Sequence, residues 1–425
     1  MRSKSFVHAY RPRSIGVSTP VISPISTTAP TRRHDLDWLR AIAILLLLFF
    51  HSAMPFATDM DWHLNSAETS DLLREFNFFV SRFRMALLFV IAGVAAQFVL
   101  RRRSVGGFLR DRALRLLVPL TFGIFVVVPP QIYFEWLAKA RFEGSYLAFW
   151  PQVLEFVPYP QGAFSYHHLW FIFYLFLYSA LLVPLLAAAR TPRGAERLAR
   201  VRAWIARHSV HWLALPIVAA YALLLEHFTG VQDIVHDGAM FLTYFLYFAT
   251  GWLIGIDAGI WQRILDGRRA SLTAAFLMLL VITGLRWNHA RPETGFTPER
   301  VAYLALLAAH AWCWVMAILG YGRRWLDRDH PVLAWTRDAS YPFYILHQTV
   351  IVAVAYYVIP TQESVIAKFL FTSIVSLVVS VGLYETLVRP YAPVRWLFGM
   401  APRRSSPAVA PAVSPSASPA SAPAR

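Results

Sequence analysis

Ten blocks of apolar residues, most of them roughly 17 to 24 residues long, constrain this sequence more than any other feature. A bilayer's hydrocarbon core is about 30 Å thick, and a helix crosses it with about 20 residues because each residue adds about 1.5 Å. Inside lipid, backbone N–H and C=O groups must be paired within the chain, which a helix achieves. The sequence therefore predicts an all-α, polytopic membrane helical bundle with about ten transmembrane helices.

The predicted spans cover most of the chain, and Leu272–Leu285 is the shortest of them. Residues 35–390 are predicted to form the transmembrane domain. A basic N-terminal tail (1–34) and a Pro/Ala/Ser-rich C-terminal tail (391–425) are predicted to be disordered, since neither can bury enough apolar surface to fold. The predicted spans are Trp38–Ala57, Phe78–Leu100, Leu114–Leu137, Leu169–Ala189, Trp212–Phe228, Ala239–Ile256, Leu272–Leu285, Val301–Tyr321, Tyr341–Val358 and Ile366–Val388.

Lysines and arginines are distributed unevenly between the two sides that these spans define. With a cytoplasmic N-terminus, 30 of the 40 cations fall in cytoplasmic segments and 7 in external ones, while Arg40, Arg82 and Arg84 fall within spans or at their edges. Cytoplasmic loops of membrane proteins carry the excess of Lys and Arg. The distribution predicts an even number of spans with both termini in the cytoplasm, as in a bacterial inner (plasma) membrane protein.

Composition narrows the function classes. The net charge is +16, but the arginines cluster between apolar blocks as flanks of membrane spans do, so we expect no nucleic-acid partner. The single cysteine, Cys313, cannot form an intramolecular disulfide or a thiolate metal cluster. No metal site is predicted, and membrane lipid is the expected surrounding.

Arg40 and His51 are ionisable residues in the first span, where hydrocarbon disfavours charge. They are eleven residues apart, about three turns plus 20°, so they share one helical face about 16 Å apart along the axis. Intramembrane ionisable residues are functional candidates. The alternatives are that Arg40 extends to the headgroups and that His51 is hydrogen-bonded between helices.

Three further candidates enter from the external side. Arg84 in the second span lies about as deep as His51 and either balances charge near it or anchors the helix at the interface. His168 and Trp170 open the fourth span, where an interfacial aromatic belt explains them as well as a substrate site does.

On the cytoplasmic side, Arg112 and Arg115 are spaced i, i+3 and are neighbours on one helical face. Two forked guanidinium groups suit a phosphorylated ligand, although flanking arginines are also common beside spans. In the ninth span His347 lies about 10 Å inward, in a block that begins at Ser340, and Glu385 lies near the cytoplasmic end of the tenth.

These residues carry a resemblance to a known family. LDWLRAIAILLLLFFH, with Arg40 and His51, resembles the first-helix motif of membrane acyltransferase family 3, and Arg112-Ala-Leu-Arg115 resembles its R-x-x-R motif. FRMALLFVIAG, HHLWFIFYL and SYPFYILHQ resemble three further family blocks in the expected order. The resemblance covers about residues 35–390. DLDWLR, HSAMPF and VVVPPQIYFEW are similar to a branch that acts on glucans outside the cytoplasm.

The resemblance implies an enzyme that moves an acetyl or succinyl group from cytoplasmic acyl-CoA to a hydroxyl of an extracytoplasmic carbohydrate or lipid-linked acceptor. His51 would be the catalytic base or an acylated nucleophile, and Arg40 would orient the cofactor or the histidine. Arg112 and Arg115 would hold the CoA phosphates. No permanently bound cofactor is expected, because acyl-CoA is a co-substrate.

Two other functions are weighed against this one. Asp59 and Asp61 in the first external loop could hold a metal against a lipid phosphate, as in a lipid-linked glycosyltransferase. A lipid or glycan transporter is the second alternative, although coupled carriers usually hold carboxylates near mid-membrane. Here Glu135, Glu226 and Asp257 fall at the ends of spans.

Overall fold

The computed structural model describes residues 32–100, 104–228 and 236–401. Within these residues ten helical segments are long and apolar enough to cross a bilayer, and no strand forms. The predicted polytopic all-α architecture is confirmed. The ten segments are His34–Phe56, Asp71–Leu100, Val105–Ala138, His167–Arg190, Val210–His227, Gly238–Ile256, Ala258–Trp287, Pro298–Trp325, Pro331–Val358 and Val365–Val388.

Several of these segments are interrupted by 3₁₀ or π turns, so the α-helices proper are shorter. The α-helices of the described residues are α1 (His34–Ala53), α2 (Asp71–Leu100), α3 (Val105–Phe122), α4 (Pro129–Ala138), α5 (Tyr146–Phe149), α6 (Trp170–Arg190), α7 (Pro192–Arg207), α8 (Leu215–Leu224), α9 (Gly238–Ile256), α10 (Ala258–Trp287), α11 (Pro298–Trp325), α12 (Pro331–Val358), α13 (Val365–Leu383) and α14 (Ala392–Leu397).

Every predicted span overlaps one observed segment, and the largest difference is at α10. This helix begins at Ala258, well before the predicted start at Leu272. The Asp257 side chain accepts a hydrogen bond from the Gly259 N–H and caps the helix, and Ile260 and Ile264 are buried against neighbouring helices. The first turns are amphipathic, so a search for continuous apolar sequence omits them.

The predicted C-terminal tail begins too early. Residues 391–401 are ordered, because α14 packs against α3 and buries Phe398, whose ring centroid is 5.4 Å from that of Phe122. Residues 1–31 and 402–425, which make up most of the two predicted tails, lie outside the described residues, as do the three arginines at 101–103.

The helices divide the bundle into two ends. The arginine face is the end where α1, α3 and α12 begin and where α2 and α11 finish. There Trp38 donates to the Arg328 carbonyl at 3.3 Å, and Arg337 lies 3.6 Å from Asp37. The cavity face is the opposite end, where α2 begins and where Arg286 pairs with Glu75.

Helices α2 and α9 approach each other more closely than side chains would allow. A Cβ atom on Gly93 would lie 2.0 Å from the Phe248 carbonyl oxygen, and one on Gly251 would lie 2.1 Å from the Val90 carbonyl oxygen. Only glycine, which lacks a side chain, permits this contact. The two helices are therefore in direct backbone contact.

The third span is broken where α3 meets α4. A π-helical turn, Gly123–Val127, precedes Pro129 and Pro130, which have no N–H to donate. The Gln131 N–H bonds to Val128, and the Val127 carbonyl instead accepts the Thr349 hydroxyl at 2.5 Å. Irregular backbone inside a bundle requires such substitute partners. This break orients the polar residues of α4 toward α12.

Candidate active site

His51, near the end of α1, is hydrogen-bonded to His347 of α12. The His51 Nδ1 atom lies 2.9 Å from the His347 Nε2 atom, and the two rings stack with centroids 5.1 Å apart. The other nitrogen of His347, Nδ1, lies 2.5 Å from the Tyr344 carbonyl oxygen. A carbonyl oxygen can only accept, so His347 Nδ1 carries a proton and, in the neutral ring, its Nε2 is an acceptor.

This arrangement fixes the tautomer of His51. Because His347 Nε2 accepts, His51 Nδ1 donates, and the lone pair of a neutral His51 lies on Nε2. Within the described residues that nitrogen has no hydrogen-bond partner, and the His51 side chain lines a cavity. The geometry leaves a proton acceptor directed into an accessible space.

His168 follows the loop between α5 and α6 and links α6 to α12. Its Nε2 atom donates to the Ile345 carbonyl at 2.9 Å, and its Nδ1 atom lies 3.4 Å from the Gln131 amide nitrogen. Its own carbonyl accepts the Tyr344 hydroxyl. The His168 ring is edge-on to His347 with centroids 5.4 Å apart, so it buttresses the histidine pair.

A second polar cluster surrounds Glu135 on α4. The His63 Nδ1 atom donates to Glu135 at 2.6 Å, Tyr159 donates at 2.9 Å, and Lys139 lies 3.0 Å away. Burial, together with the Glu135 carboxylate, raises the pKa of Tyr159 above its usual value. Gln348 connects this cluster to Gln131, at 3.0 Å. The Trp62 ring lies between the two clusters, stacked on His51 and edge-on to His63.

Both clusters border one cavity of about 1110 Å³ in the half of the bundle nearer the cavity face. Its walls come from α1, α2, α6, α8, α9, α11 and α12 and from the segments 61–63 and 158–168. Aromatic side chains dominate the lining: Phe50, Trp62, Tyr159, Phe164, Tyr166, Trp170, Tyr221, Tyr244, Tyr247 and Tyr344.

The other sequence candidates divide between the two ends of the bundle. Arg84 and Trp170 line the cavity with His51 and His168. Arg40 lies 3.4 Å from Asp37, toward the arginine face, whereas the His51 Nδ1 atom donates to His347. The proposed role of Arg40 in orienting the cofactor or the histidine stays a prediction.

Four candidates lie at or toward the arginine face. Arg112 is half-buried, with its guanidinium 5.2 Å from the Phe108 ring centroid, and Arg115 is exposed and lies 3.2 Å from Asp111. Glu385 accepts from Trp335 at 2.5 Å and from Arg389 at 2.6 Å.

Ser340 is buried and donates back to the Thr336 carbonyl of its own helix at 2.5 Å. None of these four lines the cavity.

Comparison with known families identifies the chain. The pattern of the family described as "Acyltransferase domain", acyltransferase family 3, matches residues 33–385, which is most of the chain. The chain belongs to membrane acyltransferase family 3. The resemblance carried by the sequence blocks is confirmed, and the protein is a multi-pass membrane acyltransferase.

Curated relatives of this acyltransferase share one name. It is 24% identical over 367 residues to "Glucans biosynthesis protein C" of Escherichia coli O6:K15:H31, an alignment that covers 84% of this chain and 92% of the relative. It is 24% identical over 374 residues to the proteins of that name from Salmonella paratyphi A and Salmonella agona, covering 86% of this chain and 94% of each relative. No solved structure matches the chain.

Several residues of the acyltransferase site were not predicted from the sequence. His63 lies in a loop and Gln131 and Glu135 lie near the end of a span, where polar residues are ordinary. Tyr344 and Gln348 are buried in the middle of α12, beside His347 in sequence. The available signal was the i, i+4 spacing of Gln131 and Glu135, which places both on one face of α4.

Three residues of this acyltransferase could in principle hold a metal. Each of His63, Glu135 and His167 offers one ligand atom, and these atoms lie within 4.8 Å of one another. Glu135, however, already accepts from three donors, one of which is the cation Lys139. A positive charge at 3.0 Å opposes a metal ion there, so we assign no metal to this group.

Proposed function

We propose that this acyltransferase moves an acetyl or succinyl group from cytoplasmic acyl-CoA to a hydroxyl of an extracytoplasmic carbohydrate, such as a glucan or surface polysaccharide, in the bacterial inner membrane. The observation that carries the proposal is the His51–His347 pair, which leaves the Nε2 atom of His51 without a partner beside the cavity.

In this proposal His51 is the general base. The acceptor O–H gives its proton to His51 Nε2 while its oxygen bonds to the thioester carbonyl carbon. The C–S bond then breaks, and the CoA thiolate takes the proton from the imidazolium. General-base assistance of this kind is typically worth about 10²–10⁴-fold in rate. An acyl-histidine intermediate is the chemical alternative.

The cation distribution supports a donor that arrives from the cytoplasm. The 30-to-7 bias of lysines and arginines favours a cytoplasmic arginine face. Arg112 and Arg115 lie on that face and would bind the CoA phosphates, because forked guanidinium groups form paired hydrogen bonds to phosphate. Arg40, on the same side of the bundle, would help to orient the acyl-CoA.

The lining of the cavity supports a carbohydrate acceptor. The flat, apolar faces of tyrosine and tryptophan rings can pack against sugar rings while their N–H and O–H groups hydrogen-bond to hydroxyls. The residues from Pro158 to His168 form one wall, on the side that the cation bias favours as external. The relatives named "Glucans biosynthesis protein C" add support for a glucan acceptor.

The decisive experiment replaces His51 with alanine in protein reconstituted into proteoliposomes. Isotope-labelled acetyl-CoA or succinyl-CoA is supplied at the arginine face and a soluble glucan oligosaccharide at the cavity face, and mass spectrometry measures the acylated glucan. We expect the wild type to produce it and His51→Ala to produce at least about 100-fold less. Normal acylation by His51→Ala would refute the role of the base.

Two controls make the experiment specific. His208→Ala removes an exposed histidine at the end of α7, far from the cavity, and should leave the rate unchanged. Omission of acyl-CoA tests the alternatives: sugar incorporation from a polyprenyl-phosphate sugar would favour a glycosyltransferase. Movement of the glucan across the membrane without acylation would favour a transporter.

A further inference from the structure

Arg84 is a buried cation near the cavity face. Its side chain on α2 is 8% exposed, and the Nε and Nη1 atoms are buried without a hydrogen-bond partner anywhere in the described part of the chain. The centroid of the Phe50 ring lies 3.6 Å from the guanidinium carbon. The residue lines the same cavity as His51.

Two other guanidinium groups in the half of the bundle nearer the cavity face are paired with carboxylates. Arg286, which also stacks on a phenylalanine, bonds to Glu75 at 2.5 and 3.0 Å. Arg300 bonds to Glu226 at 2.8 Å. Burying a cation without an anion is expensive, and a π face compensates only part of that cost. Arg286 and Arg300 thus have carboxylate partners, whereas no carboxylate of the described residues pairs with Arg84.

The position of Arg84 relative to His51 suggests which anion it serves. Phe50 immediately precedes His51, and the two ring centroids are 5.3 Å apart. The Arg84 guanidinium and the His51 imidazole therefore flank one phenylalanine ring at the edge of one cavity. A carbonyl group attacked beside His51 would lie in the same cavity that the Arg84 side chain lines.

We propose that Arg84 forms the oxyanion site of the transfer reaction, an inference that rests on the proposed function. As the acceptor oxygen bonds to the thioester carbon and its proton passes to His51, the C=O π electron pair moves onto the carbonyl oxygen. The Arg84 N–H groups donate to that oxyanion. When the C=O bond re-forms, the C–S bond breaks and the thiolate leaves with the proton from His51.

This role explains why the cation has no partner in the fold. A preorganised donor acts best when it is directed at charge that develops only in the transition state, within a site from which water is excluded. A permanent carboxylate would neutralise it. Loss of one oxyanion donor typically lowers kcat by about 10²–10³-fold.

The test compares Arg84→Met, Arg84→Lys and the control Arg74→Gln, in which a surface arginine of the same helix loses its pairing with Asp59 and Asp71. The readouts are kcat and KM for acetyl-CoA and for succinyl-CoA, with a soluble glucan oligosaccharide as acceptor, and the melting temperature without substrates. For Arg84→Met we expect kcat to fall about 100- to 1000-fold with both donors, while KM stays nearly constant.

The melting temperature separates a functional role from a structural one. Because Arg84→Met removes an uncompensated buried charge, the substrate-free variant should melt at the same temperature as the wild type or higher. Arg84→Lys keeps the positive charge but loses the paired N–H donors of the guanidinium group. Its kcat should therefore lie between those of the wild type and Arg84→Met. Arg74→Gln should retain wild-type kcat.

Several outcomes would overturn the inference. A lower melting temperature of Arg84→Met with unchanged kcat would make Arg84 a structural residue. Loss of activity with succinyl-CoA alone would mean that it binds the carboxylate of the acyl group. If Arg84→Met does not fold, wild-type kcat in Arg84→Lys would still contradict the role. An inactive wild type would refute the proposed function itself, whereas an active wild type with an equally active Arg84→Met refutes only this inference.

Discussion

The two ends of this bundle differ in the way that many of their charged and polar groups are paired. On the arginine face, several partly exposed arginines pair with carboxylates one helical turn away, as Arg115 does with Asp111 and Arg389 does with Glu385. Toward the cavity face, polar groups are buried and pair across long stretches of chain: His51 and His347 are 296 residues apart, and His63 and Glu135 are 72 residues apart.

This difference helps to distinguish charged residues that are common at the surface of any membrane protein from residues that take part in a reaction. Local, exposed pairs contribute little free energy and are screened by salt. Buried, long-range pairs cost desolvation energy, so they persist where a function requires their geometry. By this criterion we expect the reactive centre to lie toward the cavity face.

The largest effect should come from His347→Phe, which keeps an aromatic ring but removes the acceptor for His51 Nδ1. Without that acceptor the His51 tautomer is no longer specified, and we expect kcat to fall about 10²–10⁴-fold. Because both histidines act as one unit, adding His51→Ala to this variant should cost little more. Steady-state rates of glucan acylation measure both effects.

The matched control is His330→Asn on the same helix. His330 caps α12 at the arginine face by accepting from the Val332 N–H, and asparagine can cap in the same way. This variant should acylate normally. Independent, multiplying losses in the double variant would show that His51 and His347 do not form a unit.

A smaller effect is expected from the arginine face. The Nε atom of Arg112 is buried without a partner in the described residues, whereas Arg115 already pairs with Asp111. We therefore expect Arg112→Gln to raise KM for acyl-CoA by about 10-fold, because the variant loses one charge-assisted hydrogen bond to the ligand. The kcat should change little. Arg115→Gln should raise KM less.

Arg110→Gln is the control for these two variants, because Arg110 is an exposed cation on the same helix but about 200° from Arg112 around the axis. If KM rose equally in all three variants, net charge near the membrane, and not a phosphate site, would explain the effect. Measurement at two salt concentrations would distinguish these cases.

The smallest effect concerns Tyr159 in the loop that borders the cavity. Burial and the neighbouring Glu135 carboxylate raise the pKa of Tyr159, so the folded protein keeps a proton that the unfolded chain loses above about pH 10. This contribution to stability is complete below about pH 10 and declines as the pH rises further. The wild type should therefore lose thermal stability at alkaline pH.

In Tyr159→Phe the alkaline decline of the melting temperature should be shallower, measured in detergent between about pH 8 and 11. Exposed Tyr391 provides the control, and Tyr391→Phe should decline as the wild type does. A wild-type slope in Tyr159→Phe would show that Tyr159 ionises equally easily in the folded and unfolded states.

The fold was predictable because membrane spans are specified locally. Length and apolar composition identified all ten segments. The extension of α10 before Leu272 and the helix Ala392–Leu397 were missed, since each depends on packing against a distant partner such as Phe122. Amphipathic and short elements have too weak a local signal to be found without that partner.

The site was predictable only one residue at a time. His51, His347 and Arg84 could be singled out because ionisable groups are costly within a span. Their proximity could not be predicted, because helical periodicity fixes which residues share a face of one helix but not which helices meet. The Glu135–His63 pair had no comparable signal, because charged and aromatic residues at span ends are ordinary.

The contact between α2 and α9 limits the routes available to an incoming thioester. On these two helices the cavity lining ends at Ala86 and Tyr247, and beyond it the backbones touch at Gly93 and Gly251. Main-chain atoms in contact leave no passage between this pair from the arginine face. In the proposed reaction, a pantetheine arm from the arginine face would have to reach His51 by a route other than the seam between α2 and α9.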